Sequence, residues 1–356
     1  MIMIAEGAIE IIRAEKSKLQ DINLENIPFG KYFTDYMLEA DYKNGEWQTP
    51  VIRPYQPLMM APSVAALHYG QAIFEGIKAY KDPSGNGYIF RPFDNFKRFN
   101  LSAVRMAMPE VPEEIFMDGM HKLLQMDINW IPNQADHSLY IRPFMFSSEE
   151  MIGVKPSEQY KFMIILSPTG PYYNTPMRIY VEEQYVRAVQ GGVGEAKTAG
   201  NYAASMLATA EAKKKGYDQV LWMDALEHRY VQECGTMNVF FVIGNTAITP
   251  GLDKGTILAG VTRDSVITIL QEMGLTVEER DLSIEEVMDA YKSGELKEVF
   301  GSGTAATISM IKELKYKDFV MEWDVEKYTI CQQVKTLLNN IRYGKSPDTH
   351  GWMYKI

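Results

Sequence analysis

A chain of 356 residues is long enough for two domains and a large core. Its composition, 46% hydrophobic and 23% charged, is that of an ordinary globular protein. The net charge of -10 repels phosphate backbones, so no nucleic-acid partner is expected. Two cysteines, Cys234 and Cys331, without a metal-binding or redox spacing exclude a disulfide scaffold and give no metal site.

The opening Met1-Ile2-Met3-Ile4 is too short an apolar run for a signal peptide, and no stretch approaches a membrane span, so the expected compartment is the cytoplasm. Along the first half, "AALHYGQAIFEGIKAY" (65–80) is followed by a Pro-Ser-Gly turn and the strand-like "NGYIFRPF" (86–93). Asp94 is placed to cap a helix through "NFKRFNLSAVRMAM", stopped by Pro109. A second helix is expected from Pro112 through "EEIFMDGMHKLLQMDI", then strands over 138–146 and 161–168. The Gly- and Pro-rich "TGPYYNTP" (169–176) breaks the pattern and predicts a linker over 171–180 between domains 1–170 and 181–356.

Beyond it, Asn201 begins a helix of small residues whose cationic last turn, Lys213-Lys214-Lys215, meets Gly216 in the manner of a helix C-terminus. Strands "QVLWMD" and "YVQECGTMNVFFVI" follow, then a helix from about Thr262 to Gly274. A capping box, Ser283 with Glu286, announces another that ends at Gly294. The strand "KEVFGSG" and an amphipathic helix over 325–342 finish the chain. Strands and helices alternate without a strict βαβ rhythm, so the expected class is α+β.

Five features carry chemistry. Lys197, in "GGVGEAKTAGNY" (191–202), is bracketed by Gly, Ala and Thr. An amine in such a poorly solvated setting becomes a usable nucleophile, although an exposed loop lysine fits too. It is no P-loop lysine, because Ala196 stands where that motif needs glycine. The helix entry "ILAGVTRDSV" (257–266) offers the amides of Val261 and Thr262 to an anion. The turn in "VFGSGTAATISM" (299–310) offers further amides and the Thr304 hydroxyl. Gly301, Gly303 and Ala306 also fit a loose dinucleotide fingerprint, which keeps a nicotinamide dehydrogenase open. Glu233 sits in a strongly apolar strand and Arg91 is an isolated cation in "IFRPF". A lysine, two amide-rich turns, an arginine and a buried carboxylate form the set that pyridoxal phosphate needs.

Seven ordered blocks carry a resemblance: "LHYGQAIFEG", "FRPF", "SLYIRPF", "GGVGEAKTAGNY", "QECGTMNVFF", "LAGVTR" and "FGSGTAA". From about Pro28 to Tyr343 the chain resembles the branched-chain amino-acid aminotransferases, fold-type IV enzymes that use pyridoxal phosphate. The resemblance implies reversible amino transfer between L-leucine, L-isoleucine or L-valine and 2-oxoglutarate. It implies a small N-terminal α+β domain, a larger β-barrel-like domain with flanking helices that anchors the cofactor, and a homodimer.

By the same resemblance Lys197 bonds the cofactor and carries the catalytic proton, Glu233 pairs with the pyridine nitrogen, and Tyr202 contacts the phenolic oxygen. Arg91, Val261, Thr262 and Thr304 hold the phosphate. Tyr69, Phe74, Tyr140, Tyr172, Thr236 and Ala305 shape the substrate pocket, Arg142 takes the side-chain carboxylate of glutamate, and Val154 reaches the neighbouring subunit's site. Some vertebrate members carry a redox Cys-x-x-Cys after "GSGTA"; here Ala306 and Ser309 stand in those slots, so thiol regulation does not carry over. D-amino-acid aminotransferases and aminodeoxychorismate lyases share the fold and are the nearest rivals.

Overall fold

The computed structural model describes residues 9–25, 27–171 and 175–356. The chain forms two compact units. The first comprises Met1–Tyr172, Ala196–Ala199 and Ile341–Ile356; the second comprises Tyr173–Glu195 and Gly200–Asn340. The sequence reading assigns 181–356 whole to the second domain, whereas the last residues form a strand, Met353–Lys355, paired with Gly87–Phe90 of the first. The centre of the expected linker lies outside the described residues, and its end is already the strand Met177–Val181.

The first unit is built on a ten-stranded sheet. In order across it run Glu10–Ile11, Val51–Pro54, Tyr36–Lys43, Tyr160–Thr169, Ser138–Ser147, Ile77–Lys81, Gly87–Phe90 and Met353–Lys355. Ala72–Phe74 pairs beside Ser138–Ser147, and Glu46–Trp47 beside Tyr36–Lys43. Helix Pro92–Arg105 packs Phe99 and Ala103 into the core with Leu38, Ile77, Phe116, Trp130 and Phe162, while Leu101, Val104 and Arg105 face solvent. Its cap differs from expectation. Arg91, in a left-handed conformation (φ 48°), is the N-cap and Pro92 opens the helix; Asp94 lies inside the first turn and accepts from Arg91 Nε at 2.7 Å. Proline suits that place because its missing N–H would have been unpaired there anyway. The second predicted helix is a wider π-type turn, Glu114–Asp118, that runs into the α-helix Gly119–Met126.

The second unit holds a nine-stranded sheet: Val231–Cys234, Gln219–Met223, Met177–Val181, Thr307–Tyr316, Leu296–Gly303, Asn238–Ile243, Thr246–Thr249 and Thr276–Glu279 in order, with Phe319–Glu322 beside Thr307–Tyr316. A bridge between Cys234 and Met237 ties the sixth of these strands back to the first, so six strands curl around Met177, Leu221, Val239, Val299 and Leu314. This mixed α+β architecture is the expected class. Ser283 caps the helix as expected, its Oγ accepting from Glu286 N–H at 3.1 Å, while the Glu286 carboxylate accepts from Arg280. The helix expected from Asn201 begins earlier, at Ala199, and is broken near Ser205 into Ala199–Ala204 and Met206–Lys214. Among the described residues no helix is long and apolar enough to cross a membrane.

Two buried acids knit the first unit's outer edge. Asp35 accepts from Trp130 Nε1 (2.9 Å), Ser17 Oγ (2.6 Å) and Lys18 N–H (2.7 Å), and Asp127 accepts from Tyr36 N–H (3.2 Å). Burial pushes the Asp127 carboxyl up to about 7, with the nearby Asp35 acting in the same direction. Between the ordinary carboxylate range and pH 7 the folded protein therefore holds a proton that the unfolded chain has lost. The resulting stability is complete below about pH 4 and disappears as pH rises through 7. Asp127→Asn, which imitates the protonated acid, is expected to lie within about 1 kcal/mol of the native protein at about pH 4.5. At about pH 8 it should exceed native stability by up to about 4 kcal/mol. Urea unfolding at the two pH values measures this, and equal stabilities at the higher one would show that the acid is not held neutral.

Candidate active site

In the first unit Lys197 is held by its own backbone. Its N–H donates to Ser102 Oγ at 2.9 Å, and its carbonyl accepts from Phe74 N–H at 3.0 Å. The next residue repeats the grip: Thr198 bridges Ile73, and its hydroxyl donates to Ala72 O at 2.8 Å. The side chain then extends over an aromatic surface, with Nζ 4.9 Å from the Phe74 ring centre. The opposing reading, an exposed loop lysine, does not survive: Lys197 is half-buried between the buried Ala196 and Thr198.

Phe74 carries a second cation. The Arg142 guanidinium lies 4.5 Å from its ring centre and donates from Nη2 to the Tyr140 hydroxyl at 2.9 Å. Arg142 Nε is buried without a hydrogen-bond partner among the described residues. Strand alternation explains the grouping, because Tyr140 and Arg142 are two apart and share a face of Ser138–Ser147. Gly76 completes it, since a Cβ there would overlap the Tyr140 hydroxyl. Lys197, Phe74, Tyr140 and Arg142 thus form one cluster.

Arg91 stands at the other end of the helix that carries Ser102, about 16 Å away along the axis at about 1.5 Å per residue. Its left-handed backbone is fixed from both sides, by N–H donation to Trp352 O (2.7 Å) and by Asn95 Nδ2 donating to its carbonyl (2.8 Å). A non-glycine residue in that region is retained only where its surroundings over-determine it. Tyr69 ends a short helix, Ala65–Tyr69, and is exposed, as is Val154 in the loop after Ser147. Tyr172 lies outside the described residues.

In the second unit a small pocket is lined by Arg187, Asn201, Tyr202, Ser205, Glu233, Gly235 and Thr236. Glu233 is buried, at 3% exposure, within its apolar strand. Two contacts compensate its charge: Arg187 Nη2 at 3.3 Å, and the Leu258 N–H, which donates to Oε1 at 2.7 Å. Arg187 Nε is buried without a partner among the described residues.

From Leu258 the network reaches the next helix. Asn238 Nδ2 donates to Leu258 O at 2.9 Å, and the Asn238 carboxamide fills the space that a Cβ at Gly260 would need. Helix Val261–Glu272 therefore starts at a fixed place relative to Glu233, with Val261 and Thr262 in its buried first turn. Thr304 and Ala305 form the tight turn joining Leu296–Gly303 to Thr307–Tyr316. Because an antiparallel strand follows that turn, where a dinucleotide site needs a helix, the dehydrogenase reading fails.

Sequence reasoning misses several residues of these clusters, Arg187 and Ser102 above all. Arg187 is one more arginine in a polar stretch, and nothing local signals its burial beside Glu233. Ser102 is a small residue in a helix, and its bond to Lys197 spans 95 residues.

Comparison with known proteins gives these clusters a family. Residues 72–314 match the class IV amino-transferase family. The chain is 50% identical over 337 residues to a probable branched-chain-amino-acid aminotransferase of Staphylococcus epidermidis, covering 93% of this chain and 94% of that protein. Among solved structures it is similar to the branched-chain aminotransferase of Thermoproteus uzoniensis with norvaline. There the TM-score is 0.75 at 26% identity, over 90% of this chain and 99% of that one. A second solved branched-chain amino acid aminotransferase, complexed with N-(5'-phosphopyridoxyl)-L-glutamate, gives a TM-score of 0.70 at 26% identity, over 88% and 97%. The chain belongs to the class IV aminotransferases and, within them, to the branched-chain amino-acid aminotransferases.

Proposed function

We propose that the protein transfers the amino group of L-leucine, L-isoleucine or L-valine to 2-oxoglutarate, reversibly, with pyridoxal phosphate as cofactor. The observation that carries this reading is the cluster around Lys197. An amine and an arginine share one phenylalanine ring, and the arginine keeps a buried N–H without a partner among the described residues. An apolar bed suits an aliphatic side chain, and a guanidinium with an unmet donor suits the second carboxylate of glutamate. One pocket then takes both substrates.

The residues fit the cofactor. Buried Glu233, the Tyr202 phenol and the Arg187 Nε, unpaired among the described residues, supply an acceptor and donors on one pocket wall. When bound, pyridoxal phosphate would supply an electron sink for the pair left at the substrate α-carbon. Lys197 Nζ would hold the cofactor and would move the proton at the substrate α-carbon. Glu233, beside Arg187, would face the pyridine nitrogen and favour its protonated form, and the Tyr202 hydroxyl would donate to the phenolic oxygen. Arg91, the Val261 and Thr262 amides and Thr304 bind the phosphate. Tyr69, Tyr140, Tyr172, Thr236 and Ala305 line the substrate space.

We also assign the protein to the cytoplasm, in keeping with two free, buried cysteines. We infer a homodimer from an apolar surface on the first unit. Met59, Leu67, Ile152 and Val154 are 101%, 62%, 71% and 89% exposed. The elements bearing Leu67 and Ile152 are joined by the Val64–Glu150 bridge and the Ala65 N–H to Glu149 O bond. A joined patch of this kind marks an interaction site.

Four outcomes test the proposal. Glu233→Gln should retain the cofactor but lose about ten- to a hundredfold in kcat, the weight of one charge-assisted hydrogen bond of roughly 1.5–3 kcal/mol. A variant with native kcat and full cofactor would reduce Glu233 to a structural strand residue. Arg142→Gln should lower kcat/KM for glutamate by about a hundredfold and for leucine by less than about tenfold, because only glutamate brings a side-chain carboxylate. Native enzyme that prefers alanine, aspartate or D-leucine over L-leucine would overturn the substrate assignment. Finally, Ile152→Asp with Val154→Asp should shift the sedimentation of the native dimer to that of a monomer and remove most activity; fully active monomers would refute the shared assembly.

A further inference from the structure

The hydrogen bonds around Lys197 close into a circuit. Lys197 N–H donates to Ser102 Oγ (2.9 Å), and the Ser102 hydroxyl donates to Arg98 O (3.0 Å), one helical turn back. Arg98 forks onto Glu75, Nε to Oε1 and Nη2 to Oε2, each at 2.7 Å. Glu75 follows Phe74 in the chain, and Phe74 N–H returns to Lys197 O at 3.0 Å.

Every side chain in the path between the two Lys197 contacts is buried: Ser102 at 2%, Arg98 at 8% and Glu75 at 0%. The strand side is fixed as well, through Glu75 N–H to Pro143 O (2.7 Å) and Gly76 N–H to Glu75 Oε2 (3.1 Å).

The direction of each bond matters. Because the Ser102 proton is committed to Arg98 O, its oxygen can only accept, and a backbone N–H is the donor that reaches it. The circuit therefore fixes the Lys197 peptide plane relative to Phe74, whose ring lies beneath Nζ. A lysine side chain is long and flexible, and its amine is placed only as well as its Cα is held.

We propose that Ser102 is a positioning residue for Lys197. Backed by the Arg98–Glu75 pair, it sets the lysine backbone so that Nζ is aligned for bonding the cofactor and for proton movement. This rests on the assignment of Lys197 as the cofactor lysine. Ser102 touches neither substrate nor cofactor; it acts through the peptide of another residue.

The test uses the full-length protein with Ser102→Ala and Ser102→Thr. Alanine is the best helix former and removes only the oxygen; threonine restores the hydroxyl. Two quantities are read besides thermal unfolding. One is the rate at which apoprotein takes up pyridoxal phosphate, fixed by borohydride and mapped by peptide analysis. The other is kcat and KM for leucine, determined separately.

Ser102→Ala should slow both uptake and kcat by about tenfold, the weight of one hydrogen bond to a peptide N–H, with KM within about twofold. Ser102→Thr should recover both to within about threefold. Uptake and kcat at native values in Ser102→Ala would overturn the proposal. So would a loss that Ser102→Thr does not repair, or one that tracks a lowered unfolding temperature in both variants. The label on native protein separates the two claims. A label on a lysine other than Lys197 defeats the functional assignment, whereas a label on Lys197 with an indifferent Ser102→Ala defeats only the positioning role.

Discussion

A lysine side chain is long and flexible, so the place of its amine depends on how well its backbone is held. Here the constraint is met at the backbone. Both polar groups of the Lys197 main chain are bonded, and the next residue engages the same strand. Strand Ala72–Phe74 and helix Pro92–Arg105 supply the partners, so the sheet edge and the helix that crosses it have a common purpose. Aromatic burial at Phe99 and Phe116 fastens that helix to the core. Loss of core packing there would reach Lys197 through two hydrogen bonds.

Each unit also contains a buried ion pair, Arg98 with Glu75 and Arg187 with Glu233. Such pairs add little net stability, because desolvation offsets attraction, but removal of one member costs roughly 3–5 kcal/mol. Their value lies in orientation. The Arg98 fork fits a carboxylate in one geometry, which fixes the helix against the strand. The Arg187 pairing sets a cation 3.3 Å from the buried Glu233 carboxylate and fixes which way that side chain faces.

What can be read from sequence follows the range of the forces involved. The Ser283–Glu286 cap is a contact over three residues, so it is legible, and so is the small-residue setting of Lys197. The Asp94 cap is misread because Arg91, three residues earlier, adopts a left-handed backbone that its contact with Trp352 sustains. The return of the C-terminal strand to the first sheet depends on pairing between residues far apart in the chain, such as Tyr354 with Ile89. The burial of Arg187 and the acceptor role of Ser102 are tertiary facts in the same sense. No local pattern distinguishes them from a surface arginine and an ordinary helical serine.

Phe74, Glu75 and Gly76 are consecutive, and each has a different partner: a lysine amine, an arginine fork, and the hydroxyl of Tyr140 that occupies the space left by the missing Cβ. Three partners drawn from a loop, a helix and a strand make this tripeptide hard to alter one position at a time. A side chain at 76 is compatible only with something smaller than tyrosine at 140. A new residue at 75 strands a buried cation at 98. A change at any of these three positions must therefore be matched at its partner, so the tripeptide and the residues it meets can be altered only together.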